Sequence, residues 1–276
     1  MRKWIEVVGW TLTAVFVYFV IEVFITIMFQ KMASGNMYQE EYARNVLVAN
    51  VAMKGITFIF FGIWYKLRED KGNFRPDYKG VFSVKNIMAL LGIGIFGQYA
   101  VTTMVTFFRI LVPDVFVEYD KGMKLLSMTQ NMPYLAFFLV VILGPIAEEI
   151  LFRGVIYGKL RDVFSITQAA VISGAIFGIY HKNIVQGLYA ALFGILLAVI
   201  FEKTQTIWGS IFIHIMFNMS AFCLNLLQKI VKIYSISFPS ILYMVLEGIS
   251  VIVVAVCFFV LRKRENRYDL VNKCRN

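Results

Sequence analysis

Apolar residues along this chain fall in long unbroken blocks rather than in stripes. Eight stretches, 7–29, 46–65, 87–108, 134–157, 163–180, 184–201, 207–227 and 241–261, are nearly continuous in hydrophobic residues. Each is about 18 to 24 residues long, the length an α-helix needs to cross ~30 Å of hydrocarbon at ~1.5 Å per residue. A helix on the surface of a soluble domain would carry a one-sided apolar stripe. A membrane barrel would alternate apolar and polar positions in every strand. Continuous blocks fit neither, and backbone groups in hydrocarbon must be satisfied within the segment itself. The pattern therefore predicts an all-α polytopic membrane protein with about eight transmembrane helices. It forms one transmembrane domain over 1–276, with no soluble appendage and no obvious repeat. The first block follows Met1-Arg2-Lys3 but runs on to Phe29, too long for a signal-peptide core, and Ala33-Ser34-Gly35 is a poor cleavage site. It reads as a helix that stays in the membrane. The loop 109–133 has room for an amphipathic surface segment.

Composition agrees. Of 276 residues, 59% are hydrophobic and 16% charged, against roughly 25% charged in an ordinary soluble domain. A net charge of +10 could suit nucleic acid, but its distribution points to a bilayer. With the N-terminus inside, eight crossings put seventeen Lys and Arg on one side and eight on the other, leaving Lys54 and Arg153 within apolar blocks. This asymmetry places both termini in the cytoplasm. The basic tail from Arg262-Lys263-Arg264 suits anionic headgroups, and no nucleic-acid partner is expected. Cys223, Cys257 and Cys274 have no spacing that implies a disulfide framework or a thiolate metal site.

Gly92-Ile93-Gly94-Ile95-Phe96-Gly97 matches the G-x-G-x-x-G of dinucleotide-binding turns. That reading needs a preceding strand. Inside an apolar block, small residues instead let helices approach closely, and Gly174 and Gly178 form a second pair of this kind.

Ionisable residues within membrane helices cost ~2.5–3.5 kcal/mol each on insertion scales. Glu22, Lys54 and Glu247 occur singly and suit interhelical ion pairs or hydrogen bonds. The fourth block is different, because it holds the neighbouring carboxylates Glu148 and Glu149. Two such groups in low dielectric cannot both remain ionised and unpaired. Arg153 stands at i+4 from Glu149, the favourable orientation for a pair. Glu148 points about 100° away around the helix and is expected to lack a dedicated cation. Desolvation of such a carboxyl suits a general base working near neutrality. A structural Glu–Arg clasp with a spare protonated acid fits these residues equally well.

The chain has two histidines, His181 and His214, and both fall in or at the edge of apolar blocks. Asn218 shares a helix face with His214, and Phe177 lies one turn before His181 and can pack beneath its ring. Glu148, His181, His214 and Asn218 together supply a base, two imidazoles and an amide, an inventory for activating water and stabilising an oxyanion. Blocks five and six are the shortest pair and are joined by His181-Lys182-Asn183. Two full crossings would leave His181 near the outer face and Glu148 near mid-membrane. A tilted or partly re-entrant hairpin around 163–201 is therefore expected, tolerated where it lines a water-filled cavity.

In order along the chain, Glu148-Glu149-x-x-x-Arg153, Phe177-x-x-x-His181 and His214-x-x-x-Asn218 resemble the motifs of the CPBP family. This family comprises type II CAAX prenyl endopeptidases and bacterial Abi or bacteriocin-processing proteins. The resemblance covers about 134–220. It implies an intramembrane endopeptidase in which Glu148 activates water, His181 orients it, and His214 and Asn218 stabilise the oxyanion. Glu149, Arg153 and Phe177 would be structural companions. It further implies a membrane-associated peptide or protein substrate, such as a prenylated tail, a bacteriocin or a signalling precursor, and the plasma membrane of a bacterium. Two His and one Glu could also bind zinc. No H-E-x-x-H occurs, however, and no metal is assigned. Two other classes compete: a non-catalytic bacteriocin-immunity or membrane scaffold protein, and a small proton-coupled transporter. The transporter would show internal repeats with paired broken helices.

Overall fold

Each apolar block becomes a helix. The computed structural model describes residues 2–32, 39–68, 83–127, 133–233 and 240–261. In chain order these form α1 (Arg2–Met32), α2 (Gln39–Arg68), α3 (Val84–Leu111), α4 (Phe116–Ser127), α5 (Pro133–Leu160), α6 (Ile166–Tyr180), α7 (Ile184–Thr204), α8 (Ile207–Ile233) and α9 (Ser240–Val260). No strand occurs among the described residues. The fold class is thus all-α and polytopic. Helices α1, α2, α3, α5, α7 and α8 contain stretches long and apolar enough to span a membrane, while α6 and Val245–Val260 of α9 are shorter apolar helices. The turn-rich stretch 71–76 and the basic tail 262–276 lie outside the described residues.

The loop 109–133 does contain a surface helix. After a single turn at Pro113–Val115, α4 begins on the buried Phe116. Asp120 accepts both ends of the Arg109 guanidinium, at 2.8 and 2.9 Å. That guanidinium holds the exposed Asp120 carboxyl below its ordinary pKa.

The chain divides into two compact units, 1–74 with 104–195, and 75–103 with 196–276. In the first, α2 packs along α1 and along α5. α5 is not a regular α-helix. It widens to π geometry over Phe138–Leu143 and again over Ile150–Tyr157. Pro145 sits just after the first widening, where an α-helix would clash with its ring. Near the second, Arg68 at the end of α2 donates to the carbonyls of Gly154 (3.1 Å) and Gly158 (2.5 Å). A cation from a neighbouring helix thereby serves carbonyls where the regular ladder is disturbed.

Ser165 opens α6 with a capping box closed by Gln168. α6 and α7 then form a close hairpin. A Cβ on Gly178 would stand 2.5 Å from the carbonyl of Gly187, so only glycine permits this approach. Fifteen residues of α6 rise about 22 Å, short of ~30 Å of hydrocarbon. The Tyr180 hydroxyl at its end donates to Glu148, so the short helix stops beside the middle of α5.

In the second unit, the G-x-G-x-x-G segment is a packing surface. A Cβ on Gly94 would stand 2.6 Å from the Cβ of Met216, and one on Gly92 would stand 2.5 Å from the Cys257 sulfur. Lys203 donates to the carbonyls of Phe258 (2.8 Å) and Leu261 (3.3 Å), covering the end of α9.

Candidate active site

Glu149 and Arg153 form the pair that their spacing implies. Nη1 of Arg153 lies 2.8 Å from Oε1 of Glu149, and both side chains are fully excluded from solvent. The second guanidinium nitrogen donates to the carbonyl of Gly194 on α7, at 3.1 Å. The guanidinium also lies over the Phe177 ring, 4.7 Å from its centre. Phe177 in turn meets Phe152 edge to face. One cation thus ties α5, α6 and α7 together. Gly194 is where this junction tolerates no bulk, since a Cβ there would stand 3.0 Å from Phe177 and 3.4 Å from the guanidinium.

Glu148 faces a different neighbourhood. Lys54, from the middle of α2, places its Nζ 2.6 Å from Oε1 of Glu148, and the two side chains keep 11% and 12% exposure. The Tyr180 hydroxyl donates to the same oxygen at 3.3 Å. Lys54 also hydrogen-bonds to the Tyr180 hydroxyl and lies over its ring. Tyr18 of α1 packs against Tyr180 with ring centres 4.8 Å apart. The expectation that Glu148 lacks a dedicated cation is therefore corrected. That expectation considered only partners on Glu148's own helix, and the cation comes from a segment 94 residues earlier. The lone Lys54 is indeed an interhelical ion-pair partner, but it pairs with the candidate base. Tyr180 and Tyr18 carried no signal that sequence reasoning could use, because aromatic residues in apolar blocks are ordinary.

His181 caps α6. Its Nδ1 lies 2.8 Å from the carbonyl of Phe177. A carbonyl can only accept, so Nδ1 is the nitrogen that donates to it, which leaves Nε2 as the nitrogen facing away from this bond. The Phe177 and Tyr180 rings meet the imidazole edge to face, with centres 4.8 and 5.2 Å away. Phe177 thus packs against the ring as its spacing implies. The next residue, Lys182, has a positive φ of 56° and pairs with Glu22 of α1, which tethers the turn to that helix.

Glu148, Glu149, Arg153, Phe177 and His181 all lie in the first unit. His214 and Asn218 lie one turn apart on α8 in the second, with His214 buried and Asn218 half-buried. Their part in the site rests on the family motif. Among the described residues of the first unit, no three His, Cys, Asp or Glu side chains gather as a metal-binding group. Oε1 of Glu148 accepts from an ammonium and a phenol. Both donors occupy Oε1, an oxygen that would have to offer its lone pairs to bind a zinc ion.

Residues 130–220 match the family described as type II CAAX prenyl endopeptidase Rce1-like. The matched segment contains every motif residue from Glu148 to Asn218. The chain is also similar to a Bacillus subtilis (strain 168) protein named "Putative membrane peptidase YdiL", with 36% identity over 101 residues. That match covers 37% of this chain, which spans 41% of the relative's length. No solved structure matches.

Proposed function

We propose that this polytopic membrane protein is an intramembrane endopeptidase that hydrolyses a peptide bond of a membrane-associated peptide or protein tail. The observation that carries the reading is Glu148. It is a carboxylate midway along an apolar helix, held by donors from two other helices beside the His181 turn, within the segment that matches the peptidase family. In the proposed reaction, Glu148 takes a proton from a water molecule as that water's oxygen attacks the scissile carbonyl carbon. The tetrahedral intermediate collapses with cleavage of the C–N bond, and Glu148 returns the proton to the departing amine. His181 orients the water through Nε2. His214 and Asn218 donate to the oxyanion. No step is routed through a metal, consistent with the donors around Glu148.

The proposed orientation has both termini in the cytoplasm of a bacterium, with the protein in its plasma membrane. It is supported by the cluster at one end of the first unit. There Trp10 meets Trp64, Trp4 meets Phe164, and Lys159 reaches Glu6 (2.9 Å) and Asp162 (3.1 Å). Tryptophan rings gather at either membrane surface, and basic side chains such as Lys159 favour the cytoplasmic one. Candidate substrates are prenylated tails, bacteriocins and signalling precursors.

To test this, wild type and Glu148→Gln are purified in detergent and incubated with lipidated and unlipidated peptides, with and without chelator. Cleavage by the wild type alone, insensitive to chelator, is the expected result. Equal phenotypes of the two proteins in cells, with no cleavage by either, would instead identify a binding or immunity protein.

A further inference from the structure

Lys54 does more than neutralise a stray acid. It comes from α2, outside the segment that matches the family. Its ammonium touches both the Glu148 carboxylate and the Tyr180 hydroxyl, and Tyr180 donates back to the same Glu148 oxygen. Three groups from α2, α5 and α6 thus close a small ring of hydrogen bonds. Arg153 is committed to Glu149 and the Gly194 carbonyl, Glu22 of α1 to Lys182, and Tyr18 packs against the Tyr180 ring.

From this geometry we infer that Lys54 is a positioning residue for the reaction, holding the Glu148 carboxylate in the orientation in which it takes the proton from water. The inference rests on the reading of Glu148 as the base. A carboxylate oxygen has two lone-pair directions. On Oε1 the Lys54 and Tyr180 donors take both, which fixes the orientation of the carboxylate against α2 and α6. The same ammonium anchors Tyr180, whose ring holds the His181 imidazole edge to face. Lys54 thereby sets the base and the water-orienting histidine in one register, although it belongs to neither motif. A purely structural cation would be replaceable without changing turnover of the folded protein.

The test compares wild type, Lys54→Met, Lys54→Arg and Glu148→Gln in detergent, with kcat and KM measured per folded molecule on one cleaved peptide. Misplacing a catalytic group by about 1 Å can cost about 100-fold. The expected result is a kcat loss of about that size in Lys54→Met with KM unchanged, partly restored in Lys54→Arg. Labelling with an apolar carbodiimide, which reacts with protonated membrane carboxyls, gives a readout independent of cleavage. Glu148 should label several-fold more strongly in Lys54→Met than in wild type or Lys54→Arg, with Glu149 unchanged as the internal reference. Should Lys54→Met fail to fold, Lys54→Gln takes its place, since it keeps a donor without the charge. Wild-type kcat and labelling in the folded Met or Gln variant, with Glu148→Gln inactive, would overturn the role of Lys54 alone. Wild-type cleavage by Glu148→Gln would overturn both that role and the reading it rests on.

Discussion

Glu148 and Glu149 are adjacent in sequence, yet the fold treats them in opposite ways. Glu149 is sealed, paired with Arg153 from its own helix, and no solvent reaches either side chain. Glu148 is paired across helices with Lys54, next to a tyrosine and a histidine turn, and both partners keep some exposure. A buried ion pair without solvent access can brace a junction but cannot meet a water substrate. An interhelical pair at the edge of a short hairpin can do so. The difference shows that the order of charges along a helix says little about their work until the partners are known.

The comparison makes predictions of graded size. The largest concerns the acid paired across helices. Glu148→Gln should fold normally and lose about 10²–10⁴ in cleavage rate, the range for a lost general base. Size-exclusion profiles and peptide assays check both halves of that statement. Next comes the sealed pair. Arg153→Met leaves the Glu149 carboxylate buried without its guanidinium, a change that costs about 3–5 kcal/mol. The folded yield and the thermal midpoint should fall sharply. Replacing Glu149 by Leu as well should recover much of the loss, because an apolar pair of similar volume is often tolerated. Smaller again is Gly194→Ala, whose Cβ would press on Phe177 and the guanidinium and should cost about 1–3 kcal/mol of stability.

The smallest effect is expected at Arg109–Asp120, an ion pair exposed to water. The Asp120 carboxyl is held below its ordinary value by Arg109. Its contribution to stability is therefore complete above the ordinary aspartate range and disappears as pH falls through the lowered value. Asp120→Asn should remove that pH dependence with little other change, as a thermal melt at two pH values would show.

The membrane helices were legible because hydrocarbon imposes one length and one composition on every crossing. The Glu149–Arg153 contact was legible because i, i+4 neighbours meet in any helix. The hairpin was legible from the polar His181-Lys182-Asn183 turn between two short blocks. Lys54 beside Glu148 was not, because a contact across 94 residues depends on how α2 packs on α5, which periodicity does not encode. The two π segments of α5 also escaped notice. Their apolar sequence reads the same at either helical period.

The claim that Glu148 drives hydrolysis is tested most directly by isotope incorporation. Wild type and Glu148→Gln, at equal folded concentration, are given one peptide in H₂¹⁸O and the products are weighed by mass spectrometry. The wild-type product should carry ¹⁸O in its new C-terminal carboxylate, and Glu148→Gln should give no product. The same labelled product at the same rate from both proteins would contradict it.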